Sequence, residues 1–317
     1  MNIYETLKKP FFVLAPMEDV TDVVFRTIVA DCAPPDIFFT EFANVDGIQS
    51  PGRQNVSKRL IKGDKDKPLI AQIWGTKPDN YYKTAKELAE DGGFAGIDIN
   101  MGCPDKSVVK NNCCSALAKR ENWDYAAEII AATKEGAGNL PVSVKTRLGF
   151  NEVDFGWSEF LLQQDIVVLT MHGRTRKQMS KVPADWAAIG QVARLRDTLA
   201  PKTLVVGNGD VITKRQGQKL AEEHRLDGIM IGRGVFQDPY VFANESPWLK
   251  LTKQQRIDLY RRHVELFAAQ WKNNERKVHT LNKFCKIYIS NFDGAKELRD
   301  QLMQANSTDE LIALLSY

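Results

Sequence analysis

Hydrophobic residues in this chain gather into eight short, dense runs, separated by longer stretches in which apolar positions recur every three or four residues. The runs occupy residues 10–17, 36–42, 68–75, 95–100, 141–149, 166–173, 203–210 and 228–234. Their length and their Val, Ile and Phe content predict buried β-strands. Between them, Val24, Phe25, Ile28 and Val29 mark one face of a helix begun at Thr21 and Asp22. Residues 79–90 read as another helix, and Ala126, Ile129, Ile130 and Thr133 as a third. Strands alternating with helices in this number predict a (β/α)8 TIM barrel, with an open doubly wound sheet as the alternative.

Beyond residue 246 the pattern becomes purely helical. Thr252-Lys253-Gln254-Gln255 forms a capping box, and Ile257, Tyr260, Val264, Phe267 and Trp271 follow at steps of three and four. Further stripes run through Leu281, Phe284, Cys285 and Tyr288, through Leu298 and Leu302, and through Leu311, Leu314 and Leu315 behind a cap at Ser307. A boundary near Ser246-Pro247 therefore divides a barrel domain, residues 1–246, from a small all-α helical domain, residues 247–317.

The ends of the predicted strands carry a second regularity. Glu41, Gln72, Asn100, Lys145, His172, Asn208 and Arg233 each stand at or just past the last apolar residue of a run. In a closed barrel those ends converge on one face, where such folds keep their active sites. The fourth run ends in Asn100-Met101-Gly102-Cys103-Pro104, a tight turn that presents one thiol on that face. A cytosolic cysteine is more often packing than chemistry; Cys103 is singled out by its neighbours.

Bulk properties narrow the class. In 317 residues, 43% hydrophobic and 26% charged, no apolar run approaches the ~18 residues of a membrane span. With no basic region and hydrophobic stretch at the start, a cytoplasmic protein without membrane contact is expected. Five cysteines without C-x-x-C spacing point to free thiols and no metal. The net charge of +3 is uneven: residues 250–299 hold 12 Lys and Arg against 5 Asp and Glu. Such a tail suits a polyanionic partner, or else a merely Lys-rich helical surface.

The remaining chemistry suggests a cofactor. Gly207-Asn208-Gly209-Asp210 and Gly232-Arg233-Gly234 place small residues after strands seven and eight, where barrels commonly bind phosphate through backbone N–H groups. Lys145 brings a cation to mid-barrel, where an anion must meet it. Gln72 and Asn100 offer paired donors and acceptors for a heterocycle edge. His172 is as readily a hydrogen-bonding residue as an acid or base. A planar, phosphorylated, redox-active ring would use this whole set, and FMN has those properties.

At this point the chain resembles a known family, the tRNA-dihydrouridine synthases. The resemblance rests on Leu14-Ala15-Pro16-Met17-Glu18-Asp19-Val20-Thr21-Asp22, Asn100-Met101-Gly102-Cys103-Pro104 and Val144-Lys145-Thr146-Arg147-Leu148-Gly149. His172-Gly173-Arg174-Thr175, Gly207-Asn208-Gly209-Asp210 and Ile231-Gly232-Arg233-Gly234 complete the set in the family's order. The motifs span residues 11–240, and the basic helical tail matches the family's RNA-binding domain.

The resemblance implies a flavoenzyme that takes electrons from NADPH through FMN and reduces the C5–C6 bond of a uridine in tRNA. By matching position, Pro16, Met17 and Glu18 would line the flavin, Gln72 and Lys145 would contact its ring, and His172 would lie beside it. Asn208, Gly209, Asp210, Gly232 and Arg233 would hold ribityl and phosphate. Asn100 and Arg147 would face the uracil, and Cys103 would protonate C5 as general acid. Arg256, Arg261, Arg262, Arg276, Lys277, Lys283 and Lys286 are candidates for RNA phosphates. No obligate protein partner is implied. The chain departs from the family at Asp19, where Gly is frequent, at Asn111-Asn112-Cys113-Cys114-Ser115, usually Gly/Ala-rich, and near Met179-Ser180, where an aromatic residue is expected. Two rival readings are an FMN barrel acting on a free pyrimidine and a catalytically silent RNA-binding protein.

Overall fold

The structure is a computed structural model that describes residues 2–272 and 275–316. Nine parallel strands form its centre: β1 (Phe11–Leu14), β2 (Phe38–Phe39), β3 (Ala43–Asn44), β4 (Leu69–Trp74), β5 (Gly96–Met101), β6 (Val142–Arg147), β7 (Val168–His172), β8 (Leu204–Asn208) and β9 (Gly228–Ile231). They follow one another in the order β1-β9-β8-β7-β6-β5-β4-β2, with β3 also pairing β4. A parallel bridge between Val13 and Ile37, with Leu14 N–H donating to the Ile37 carbonyl at 3.0 Å, joins the first position to the last. The ring so formed is the (β/α)8 barrel, and the doubly wound alternative is excluded.

Alternation along the strands builds two layers. Phe11, Val13, Phe39, Ile70, Val168, Val206 and Met230 belong to one buried cluster with Tyr4, while Phe12, Leu14, Phe38, Ile97 and Leu169 belong to another that contains the helices. The first set fills the barrel and the second seals the strands against the outer helices. By this two-residue period, Gln72, Asp98, Asn100, Ser143, Lys145, Arg147, His172 and Asn208 fall on the inward side.

The second run differs from its expected extent. Residues 36–42 were expected as one strand, but only Phe38–Phe39 pairs there, and Ala43–Asn44 resumes pairing further along β4. Between the two pieces, Thr40 Oγ1 donates to the Glu41 carbonyl at 2.6 Å and accepts the Gln72 N–H at 3.0 Å. A side chain thus replaces the ladder bond there, and Glu41 sits fully buried in the break.

Helices at Lys253–Gln270, Asn282–Tyr288, Ala295–Gln304 and Thr308–Leu314 form the tail. Both bonds of the Thr252 and Gln255 capping box are present, and the Ser307 hydroxyl accepts the Glu310 N–H. The tail is packed against the first crossover helix, Val23–Cys32: Phe25 lies 4.9 Å from Phe284 between ring centres, and Trp271 Nε1 donates to Asp22 Oδ2 at 3.0 Å. Among the described residues no helix is long and apolar enough to cross a membrane, and no cluster of three His, Cys, Asp or Glu could hold a metal.

Candidate active site

Strand register sets the geometry of the barrel mouth. Asn100 lies beside Lys145, Arg147 beside His172, and His172 beside Asn208. Together with the loops after β1, β8 and β9, Lys145, Arg147, His172 and Asn208 enclose a cavity of about 470 Å3, within the range that holds a small molecule or cofactor. Pro16, Met17, Lys145, Arg147, His172, Asn208, Gly209, Asp210, Gly232 and Arg233 all line it. Ser180, Val211, Ile212 and Gln237, which sequence reasoning did not single out, line it too. Glu18, Gln72, Asn100 and Cys103 stand outside this lining.

Beneath the cavity lies a polar stack that the sequence concealed. Asp98 is fully buried, accepts from Gln72 Nε2 at 2.7 Å and from Ser143 Oγ at 2.6 Å, and has its carboxyl pushed up to about 6 by burial. Gln72 in turn accepts from Asn100 Nδ2 at 3.1 Å through Oε1. Burial, reinforced by the nearby Arg147 cation, pushes Lys145 down to about 8, with Asp98 opposing the shift. Lys145 therefore reaches neutral pH as a cation already deprived of much of its water, and any anion placed in the cavity gains from it.

Asn100 shapes the turn that carries the thiol. Its Oδ1 accepts the N–H groups of Gly102 and Cys103, both at 3.0 Å. Cys103 is half-buried and packs with Trp74, Val108, Cys113 and Cys114. Burial pushes its thiol pKa up despite Lys145 and Arg147, so at neutral pH the sulfur holds its proton. Cys113 and Cys114 are raised further by burial, Cys113 to about 11, and serve as packing.

Arg147 connects the thiol turn to the cavity. Its Nε donates to the Gly102 carbonyl at 2.7 Å, and its Nη1 to the carbonyls of Thr175 at 3.3 Å and Met179 at 2.9 Å. Burial lowers its own pKa to about 10, which leaves it charged. His172 is held neutral far into the acid range by burial and by Lys145, Arg147, Arg174 and Arg233. Arg174 Nη1 lies 3.1 Å from His172 Nε2. Arginine can only donate, so Nε2 accepts and Nδ1 bears the hydrogen.

At the far end Asp210 is gripped by three donors: Arg174 Nη2, the Ala184 N–H at 2.9 Å and Arg233 Nη2 at 2.8 Å. Partial burial opposes ionisation, but the Ala184 N–H and the two arginines hold the carboxyl below its usual range. Gly209, at φ 139, brings the backbone to the cavity where a Cβ would stand 2.6 Å from Ala184 Cβ. Asp19 adopts φ 55, a left-handed conformation that favours Gly, and its N–H donates to Glu41 Oε1 at 2.8 Å. Asn112, Cys114 and Met179 likewise stand at positive φ, a costly conformation for residues with a side chain.

The basic tail requires correction. Arg256 is buried, its guanidinium 4.3 Å above the Trp248 ring and donating to the Trp248 carbonyl. Arg276 is nearly buried, donates to Glu41 Oε2 and stacks 4.7 Å from the Trp271 ring. Neither can meet an RNA phosphate, because charge counting does not distinguish a cation facing inward from one facing solvent. Arg262 binds Asp31, Arg261 binds Glu265, and Lys283 donates to the Asp19 carbonyl. Lys277 and Lys286 are exposed.

Similarity to known proteins agrees with this architecture. The family model described as "Dihydrouridine synthase (Dus)" matches residues 13–316. The chain is 47% identical over 317 residues to a "Probable tRNA-dihydrouridine synthase" of Staphylococcus aureus (strain COL), covering 99% of this chain and 94% of that protein. It is 48% identical over 318 residues to "Probable tRNA-dihydrouridine synthase 2" of Bacillus subtilis (strain 168), covering 99% and 95%. Among solved structures, morphinone reductase superposes with a TM-score of 0.53 at 11% identity, over 76% of this chain and 86% of that one. A 2-naphthoyl-CoA reductase complex gives 0.55 at 11%, over 75% and 52%. These two likenesses concern the barrel fold.

Proposed function

Because the chain belongs to the dihydrouridine synthase family, we propose that it is a tRNA-dihydrouridine synthase in which FMN fills the mouth cavity, NADPH is the reductant and Cys103 is the general acid. The residues present fit the cofactor. Gly232 leaves room beside Ala15 and Met17 on the cavity wall, where a Cβ would stand 3.4 Å from one and 3.6 Å from the other, Lys145 offers a dehydrated cation to an electron-rich ring, and Gly209 and Arg233 stand ready for phosphate. Asp210 anchors Arg233 and Arg174 from below.

Held by Lys145, Asn208, Gly209, Gly232 and Arg233, FMN would supply hydride chemistry for the C6 side of the uracil bond. The chain's own residues do the rest. Cys103 Sγ–H, kept protonated by burial, donates its proton to C5 as negative charge develops there. Asn100 fixes the turn that aims this sulfur, and Arg147 presents a buried cation between turn and cavity. His172, neutral and donating only through Nδ1, can hydrogen-bond without adding charge. A stacked or paired uridine must leave its RNA fold to reach this site, a cost of a few kcal/mol offset by phosphate contacts. Arg261, Arg262, Lys277, Lys283 and Lys286, with side chains open to solvent on the tail, are the candidates left for those contacts.

The observation that carries the reading is the 2.7 Å bond from Arg147 Nε to the Gly102 carbonyl, which ties the thiol turn to the cavity wall. The test is Cys103→Ala with tRNA lacking dihydrouridine. Yellow protein that NADPH still reduces, with product formation down about 100-fold or more, is expected. Unchanged product yield would reject the acid role, and protein that takes up no FMN would reject the cofactor.

A further inference from the structure

Strand order places the tail on one side of the mouth. It touches Asp19, Asp22 and Glu41, in the loops after β1 and β2, and β6 stands diametrically across the ring from β1. An RNA that lies on the tail while one of its bases reaches Cys103, just after β5, extends across the mouth toward the rim made by the loops after β5, β6 and β7.

Among the described residues, that rim joins unpaired cations to exposed apolar groups. Residues 173–185, after β7, carry four cations and one carboxylate, and the carboxylate, Asp185, is committed to capping the next helix. Lys177 and Lys181 are exposed, and neither has an ion pair among the described residues. Phe150, after β6, is flanked by Lys119 Nζ at 5.0 Å and the Arg176 guanidinium at 5.1 Å from its ring centre. Arg176 Nε is buried without a partner. Met179 and Val182 are 44% and 39% exposed on the same loop, and Val153, in the loop after β6, is 37% exposed. Cations interleaved with exposed apolar groups suit a sugar-phosphate backbone and its bases. The carboxylates nearby are Glu121, Glu152 and Asp154; Glu121 faces Lys119 at 3.8 Å and Asp154 caps a helix.

We propose that Lys177 and Lys181, with Lys119 and Arg176 around Phe150, form a second RNA-backbone contact surface across the mouth from the tail. The inference rests on the tRNA reading above and extends it. The loop is also tied to the chemistry. Its inner side supplies Ser180 to the cavity, and its Thr175 and Met179 carbonyls accept from Arg147. RNA seated on its outer side therefore presses on the residue that joins cavity and thiol turn.

The test compares full-length holoenzyme with Lys177→Ala/Lys181→Ala and with a control of equal charge loss, Lys86→Ala/Lys219→Ala, on exposed positions of the outer helices. The rim variant should raise KM for tRNA and lower the slope of log affinity against log salt by roughly 2, one unit per phosphate contact. NADPH oxidation without RNA should match wild type, and the control should leave KM and slope unchanged. If wild type modifies tRNA but rim and control variants behave alike, the second surface is refuted while the activity stands. If wild type itself neither binds nor modifies tRNA, the function reading fails first.

Discussion

Replacing Lys145 by methionine in FMN-free protein should make the fold more stable. Methionine keeps the length of the side chain and removes its charge. In the fold the ammonium titrates near 8 against an ordinary 10.5, so at pH 7 its charged form carries a penalty of about 3 kcal/mol, at 1.36 kcal/mol per unit. The sign follows from proton counting. The penalty is complete below pH 8, shrinks as pH rises toward 10.5, and vanishes where both folded and unfolded lysine are neutral. This penalty is already net of the attraction to Asp98, which opposes the shift. Urea unfolding of apo-protein should show Lys145→Met stabilised by about 1–3 kcal/mol at pH 7, with most of that difference gone by about pH 10.5. The same variant should retain FMN poorly, since a ligand's negative charge no longer finds a desolvated cation. Destabilisation of similar size at pH 7 would refute the argument and make Lys145 a structural partner of Asp98.

Gly209→Ala should bleach the purified protein, because the new methyl meets Ala184 Cβ at 2.6 Å on a backbone at φ 139; a full complement of bound FMN, read from absorbance, would contradict this. Arg276→Met should lower stability at pH 8 by about 1–1.5 kcal/mol, the one pH unit by which Glu41 beside its cation is ionised there, because without the cation the carboxyl protonates instead. Burial raises Glu41 to about 7 even beside Arg276, so the carboxyl protonates as pH falls and the deficit should shrink at pH 6; a deficit equal at both pH values would argue against the pair.

The eight strands were legible because barrel strands are apolar on both faces, and a run such as Val205-Val206 or Ile229-Met230-Ile231 has few other uses. The mouth was legible because its polar residues end those runs. Asp98 was not, since an acid inside Ile97-Asp98-Ile99 looks like the wet side of a half-exposed strand until closure turns that side inward. Glu41 misled in the opposite way: it was read as a strand end at the mouth, but a hydroxyl from Thr40 interrupts the ladder and lets the carboxyl enter the wall. The tail's caps were visible because they depend on residues three apart. The inward turn of Arg256 and Arg276 depends on Trp248 and Glu41, 8 and 235 positions away, beyond any local pattern.

The break between β2 and β3 also bears on how the two parts of the molecule can be separated. A chain cut after the barrel would leave the carboxylates of Glu41 and Asp22 and the ring of Phe25 opening onto solvent, through a hole that the tail now stoppers. Grafting another relative's helices onto this barrel would accordingly succeed only if residues 19–41 travelled with them, so that lock and key are exchanged as one piece.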